Sequence, residues 1–241
     1  MATSTQVNAF KAQVAADVEN RSFTVGTFNV NQYVNQNPTA VQEAMHIAMR
    51  AGASVVGVQE YCEFWNLPTN TSKIPGVYDY VSSGLVDNLS WGNGWTGNAI
   101  VSKHDLTDYD NGVFAEELPD HSKAGFVKNR VIASGKKVSV YNTHFYAYGS
   151  THVKKQAEEL AKVIKADPTY YKVITGDFNV DNLDDIKALT DLGFQPAFPF
   201  SKNQIDNILA LPFMPVTYKG KVSVPGTVSD HDFYYATFRF N

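Results

Sequence analysis

A single cysteine, Cys62, stands among 241 residues. One thiol cannot close an intrachain disulfide, and no His/Cys cluster with zinc spacing accompanies it, so disulfide frameworks and structural zinc are excluded. No apolar run reaches membrane-spanning length, and the N-terminus has no basic stretch followed by an apolar core. These absences lead to the expectation of a soluble chain with no signal peptide or transmembrane segment, cytoplasmic by default. Positive charge is scarce as well: 20 Lys and Arg against 24 Asp and Glu leave a formal charge of −4. That balance argues against a generally basic nucleic-acid coat, while a local patch could still hold phosphate. Repeats and low-complexity linkers are missing, so a single domain is expected over residues 23–241, behind an N-terminal helical extension over 1–22. The hydrophobic fraction of 44% and charged fraction of 18% are those of a globular chain.

The most informative stretch is Lys172–Asn182, KVITGDFNVDN. A β-rich run, Val173-Ile174-Thr175, ends at Gly176 and delivers Asp177 and Asn179 at i and i+2. On an extended backbone those two side chains face one side, with Phe178 turned into the core. A carboxylate beside a carboxamide suits a divalent cation or a phosphate, although Asp-x-Asn after a strand is also ordinary turn chemistry. Other strands end in the same manner. Phe23–Val30 carries Asn29 near its end, the apolar run Ser54–Glu60 stops at Glu60, and Lys136–Phe145 closes on His144. Asp206 interrupts an apolar strand, and Asp230 and His231 directly precede the last strand, Phe233–Phe240. Taken singly, each has an ordinary reading: Asn29 as a turn former, Glu60 as a side chain reaching solvent, His144 as a structural histidine. Together they gather on one rim of a layered sheet, where chains leave the hydrogen-bonded lattice.

Helices are expected over Thr3–Asn20, with Val7, Phe10, Val14 and Val18 inward, from Asn37-Pro38 to Gly52, over Ser150–Lys165 capped by Ser150 or Thr151, and over Leu183–Leu192. Further strands are expected at Val77–Ser83, Trp95–Lys103 and Gly125–Ala133. Gly92–Gly94 would form a turn, and Asp105–Ser122 reads as an acidic loop.

In this order the motifs Thr27-Phe28-Asn29, Gly57-Val58-Gln59-Glu60, Gly97-Asn98-Ala99-Ile100, Tyr141-Asn142-Thr143-His144, Gly176-Asp177-Phe178-Asn179, Ile205-Asp206-Asn207-Ile208 and Ser229-Asp230-His231 resemble those of the endonuclease/exonuclease/phosphatase superfamily, which includes pancreatic-type deoxyribonuclease. The resemblance implies an α/β fold, a four-layer αββα sandwich of two mixed sheets packed face to face with helices outside. It also implies a metal-dependent phosphoesterase that works by in-line attack of water, with Mg2+ as cofactor, Mn2+ as a substitute and Ca2+ as a structural ion. On that pattern Glu60 is the main metal ligand, with Asn29 beside it and Asp230 near. Asp177 positions or deprotonates the water, and Asn179 holds a phosphoryl oxygen. His231 serves as general base or transition-state donor. His144 donates to the phosphate or the leaving oxygen and is oriented by Asp206. Arg130 and Asn98 match positions that contact or adjoin the phosphate.

The substrate expected first is nucleic acid, DNA above all, cleaved by a monomer, with Lys103, Lys123, Lys128, Arg130, Lys154 and Lys155 as a phosphate track. A phospholipid or small phosphodiester is the alternative, with Trp65, Trp91, Trp95, Tyr146 and Tyr148 at an interface. A catalytically silent binding module of the same fold is a third reading. Such a module should lack an acid, amide or histidine position, and all are present here.

Overall fold

In the computed structural model, residues 2–31, 38–62, 77–88 and 95–240 are described. Trp65, Trp91, the Asn37 cap and the Gly92–Gly94 turn lie outside them. One sheet has the order β11-β12-β1-β2-β4-β3, from Val216–Val222, Phe233–Arg239, Ser22–Asn29, Val55–Cys62, Trp95–Ser102 and Tyr80–Asn88. The other has the order β5-β6-β7-β8-β10-β9, from Thr107–Val113, Gly125–Ala133, Lys136–His144, Tyr171–Asp177, Asp206–Ala210 and Gln195–Pro196. Each sheet holds one parallel pair, β1/β2 and β7/β8. Parallel neighbours need a crossover, and a helix supplies it each time: α2 (Pro38–Arg50) between β1 and β2, and α3 (Ser150–Ala166) between β7 and β8.

Strand alternation builds the layers. Val25, Val55, Val140, Val173 and Ile208 belong to the apolar cluster between the sheets. Their neighbours turn outward: Val56 and Val58 join Met45, Met49 and Phe233, while Tyr141 and Ile174 join Leu160 and Ile164 of α3. A two-residue period that puts apolar side chains on both faces is what a doubly covered sheet requires. The expected sandwich of two mixed sheets is therefore present.

Toward the end where both parallel pairs finish, the inter-sheet layer changes from apolar to polar. Gln59 Nε2 donates to Thr27 Oγ1 at 3.1 Å and across the seam to Asn142 Oδ1 at 2.5 Å. Asn142 Nδ2 returns two bonds to the opposite sheet, to Val58 O at 2.8 Å and Ala99 O at 2.9 Å. Thr175 adds a hydroxyl to Asn142 Oδ1 at 3.1 Å. Only a residue without Cβ fits beside this clasp: a Cβ on Gly57 would stand 2.0 Å from Thr175 Oγ1.

Several elements differ from the sequence reading. Asp105–Ser122 contains β5, a strand exposed at nearly every position, and β11 is a second exposed edge strand that the apolar pattern does not mark. The strand read at Val77–Ser83 runs instead from Tyr80 to Asn88. Ser150 is the first residue of α3, whose N-cap is Gly149 with no side-chain bond. The first helix, α1 (Ser4–Glu19), is capped by Thr3 in a reciprocal bond with Gln6 and buries Phe10 edge-on against Tyr78 at 5.8 Å. Val18, expected inward, is 48% exposed. Asp17 takes the inward place, accepting from Gln13, Ser22 and Thr24. The short helix after β8 divides into a 3-10 turn, Asp184–Ile186, and α4, Lys187–Thr190.

Candidate active site

The C-terminal ends of the two parallel pairs meet at one cleft of about 420 Å³, lined among others by Asn29, Glu60, His144, Asp177, Asn179 and His231. On the first sheet, Asn29 closes β1 opposite Gln59. Strict alternation would send Glu60 toward the outer, helix-covered face together with Val58. A bulge between Val58 and Tyr61 prevents this, and Glu60 adopts φ 54°. A bulge with a left-handed residue re-aims a side chain at a cost of order 1–3 kcal/mol. Here it turns a carboxylate to the cleft.

On the second sheet three site residues lie in one row. His144 is in register with Asp177 across the parallel ladder, and Asp177 faces Asp206 across the antiparallel one. Asp177 Oδ2 is the hub: it accepts Asn29 Nδ2 at 3.1 Å and stands 3.5 Å from His144 Nε2 and 3.9 Å from His231 Nε2. Its other oxygen accepts the Asn179 N–H at 3.1 Å. Asn179, at φ 50°, donates its amide to Phe145 O at 2.8 Å, and Phe178 is fully buried between them.

The segment before β12 is anchored from beneath. Ser229, buried, donates to Asn29 O at 2.7 Å and accepts the His231 N–H at 3.0 Å. His231 Nδ1 pairs with Asp206 Oδ2 at 2.8 Å, which leaves Nε2 toward the cleft. Asp206 therefore orients His231, whereas the sequence reading gave it to His144. The antiparallel register puts Asp206 beside Asp177, within reach of the imidazole arriving from the loop before β12. Burial alone would lower the His231 pKa, but the Asp206 bond and the charges of Asp206, Asp177 and Asp230 outweigh it and push it up to about 10. The ion pair thus favours the imidazolium form of His231. Burial and the facing Asp177 charge raise the Asp206 carboxyl, opposed by His231.

The donor set fits a hard divalent cation. Asp177, Asp206 and His231 cluster within 4.8 Å of one another; with His231 protonated the carboxylate oxygens are the available donors, and Asp206 Oδ1 is buried with no hydrogen-bond partner. Two buried carboxylates facing one another need positive charge nearby, and oxygen donors are what magnesium prefers. Asn29 directs its amide N–H groups to Glu60 Oε1, at 3.1 Å, and to Asp177, while its Oδ1 accepts the Asn31 N–H at 2.9 Å. It thereby positions two carboxylates. Asp230, with a side chain 69% exposed, approaches His231 Nε2 at 3.8 Å.

Of the expected residues, Asp206 and Asp230 stand off the cleft lining but reach His231, while Arg130 and Asn98 lie away from the site. Arg130 lies five residues along β6 from Gly125, the partner of His144, or roughly 17 Å at about 3.4 Å per residue. There it binds Asp108 at 2.6 Å and Thr169 at 3.1 Å. Asn98 is buried beneath the site and donates to Gly125 O at 3.0 Å, a bond from one sheet to the other. The sequence reading had no signal for Ser229 as an anchor or for Asp87 and Asp120 on the cleft lining, since each is an ordinary loop or strand-end residue until the chain folds; Lys123, expected as part of a phosphate track, does lie there.

Residues 26–231 match the model of the Endonuclease/Exonuclease/phosphatase family. Among solved structures, an endonuclease/exonuclease/phosphatase family protein from Leptotrichia buccalis superposes with a TM-score of 0.71 at 15% identity, over 90% of this chain and 100% of that one. Truncated Caenorhabditis elegans TDP2 gives 0.66 at 16% identity, over 90% and 97%. The Bacteroides thetaiotaomicron mannosyl-6-phosphatase Bt3783 gives 0.65 at 17%, over 90% and 100%. No curated protein sequence matches. At such identities the structures establish the shared fold, and the family match extends over most of the sequence: the chain belongs to the endonuclease/exonuclease/phosphatase family.

Proposed function

We propose that this chain hydrolyses phosphoesters with a divalent cation, by in-line attack of water. The observation that carries the reading is the convergence of Asn29, His144 and His231 on Asp177 Oδ2 at the mouth of a cleft that also holds Glu60. Glu60 would hold the cation, with Asn29 and Asp230 beside it. When bound, a divalent cation neutralises charge on the phosphoryl group and its leaving oxygen. Asp177, held by Asn29 and the Asn179 N–H, orients the attacking water and accepts its proton. Asn179 supports a phosphoryl oxygen with its amide. His231, a cation on the Asp206 carboxylate, donates through Nε2 to the charge that develops on phosphorus oxygens, which makes it a donor in preference to a base. His144 supplies a hydrogen bond to the leaving oxygen.

The DNA substrate anticipated from the sequence and a small phosphoester share this chemistry. Similarity to a structure named as a mannosyl-6-phosphatase brings the second class into view. The hydrolase reading is tested with p-nitrophenyl phosphate and bis-p-nitrophenyl phosphate plus Mg2+. Chelator should abolish turnover, and Asp177→Asn and His231→Ala should each lower kcat by about 10²–10⁴, with unchanged circular dichroism. Near-normal rates in either folded variant would sink the assignment.

A further inference from the structure

We propose that the cleft takes a compact phosphate ester of a hydroxyl-bearing ring, such as a sugar phosphate, in preference to a polynucleotide. This rests on the hydrolase reading above. Five of the six cations expected along a nucleic-acid backbone are held in ion pairs within the protein. Lys103 binds Asp79 at 2.6 Å, Lys128 and Arg130 share Asp108 at 2.8 and 2.6 Å, Lys154 binds Asp185 at 3.2 Å, and Lys155 binds Glu116 at 2.7 Å. Only Lys123 of that set lies on the cleft, where it is exposed and, among the described residues, has no carboxylate within ion-pair distance. The residues outside the description add one lysine, Lys73, and one glutamate, Glu63, and so no net charge.

The mouth itself is acidic, with Asp87 and Asp120 on its lining. Duplex DNA carries a charge about every 1.7 Å of its axis, so phosphates flanking the scissile one would meet these carboxylates. Hydroxyl groups meet them favourably, since a carboxylate only accepts hydrogen bonds. Beside them Tyr148 is 76% exposed and held edge-on by Tyr146, ring centroids 5.6 Å apart, while Tyr146 rests against His152 at 5.4 Å. A supported aromatic face next to carboxylates fits the C–H face and hydroxyls of a sugar-type ring. The cleft volume of about 420 Å³ falls in the usual small-ligand range of about 300–1,000 Å³.

The experiment measures Mg2+-dependent phosphate release or cleavage by the full chain on free hexose 6-phosphates, a phosphorylated inositol lipid in phosphatidylcholine vesicles, p-nitrophenyl phosphate, a single-stranded oligonucleotide and supercoiled plasmid, at 50 and 200 mM salt. A soluble sugar phosphate should give a kcat/KM at least tenfold above the oligonucleotide, changing less than about threefold with salt. Tyr148→Ala should raise its KM about tenfold with kcat within twofold, and Tyr148→Phe should restore KM. Preference for the vesicle lipid would keep the ring-phosphate chemistry and assign it to a headgroup. Rapid plasmid cleavage that falls about a thousandfold over this salt range, the mark of six or more phosphate contacts, would overturn the proposal and leave the hydrolase reading intact. Turnover confined to p-nitrophenyl phosphate would overturn it too, and no turnover of any substrate would remove both.

Discussion

Asp206 has one carboxylate oxygen committed to His231 at 2.8 Å and the other buried without a hydrogen-bond partner. The first oxygen fixes the imidazole so that Nε2 is the nitrogen facing the cleft, and its charge is a main reason the imidazolium persists. Asp206→Asn keeps the volume but removes the charge, and an amide can turn either its oxygen or its NH2 to the ring. The variant should fold normally and lose about 10²–10⁴ in kcat with little change in KM, the range for a mis-oriented catalytic histidine. The sign for pH is fixed by the direction of the shift. Because Asp206 raises the His231 pKa, its removal lowers it, so the alkaline limb of kcat must move to lower pH. A pH–rate profile of wild type and variant decides this, and an unmoved limb would show that His231 is not the donor that titrates there. The sequence made both residues visible as polar groups where apolar patterns stop. It could not show their pairing, because which imidazole meets Asp206 depends on strands separated by tens of residues.

Edge and centre explain which elements could be read from pattern alone. Central strands such as β2 and β8, buried on both faces, print long apolar runs, whereas β5 and β11 lie at sheet edges and expose most positions. An exposed edge strand is defined by its hydrogen bonds to a neighbour, and its side chains follow solvent. The same edge explains the Arg130 misplacement. β5 brings Asp108 across to Lys128 and Arg130, and the C-cap of α3, Asp167, closes the cluster from the other side. Asp167 accepts Tyr141 Oη at 2.7 Å and the Thr169 N–H at 2.9 Å. Burial alone would raise its carboxyl, yet the neighbouring Ser139 hydroxyl, Tyr141 and Thr169 outweigh it and hold it well below the ordinary range. A depressed folded pKa contributes stability above the unfolded value of about 3.9, and that contribution is lost as pH falls through the folded pKa. Asp167→Asn should therefore cost about 2–4 kcal/mol at pH 7. The gap from wild type should narrow steadily below about pH 4. Urea midpoints at pH 7, 4 and 3 measure it, and a gap that widens on acidification would refute the argument.

The whole molecule is two sheets, each with one parallel pair, set so that the ends of both pairs share a cleft. Asn29 and Glu60 come from one sheet, His144, Asp177 and Asp206 from the other, so catalytic geometry depends on how the sheets register against each other. Apolar packing between sheets is nondirectional and permits small slides. The clasp of Gln59, Asn142 and Thr175 is directional, and it stands just behind the site. Gly57 is where this can be tested without touching a catalytic group. A Cβ there would overlap Thr175 Oγ1 at 2.0 Å and Asn142 Oδ1 at 2.5 Å, so Gly57→Ala must part the sheets locally or break the clasp. Overpacking of this kind costs about 1–3 kcal/mol. Activity should fall by more than that loss of folded fraction explains, since Glu60 and Asp177 move relative to one another. Thr175→Ala added to Gly57→Ala removes the nearer oxygen and should recover part of both stability and kcat, whereas Thr175→Ala alone should lose stability. Chemical denaturation with single-turnover kinetics on the four proteins gives the coupling. If the two substitutions add with no recovery, register is set by the apolar layer and the clasp is only a way of satisfying buried amides.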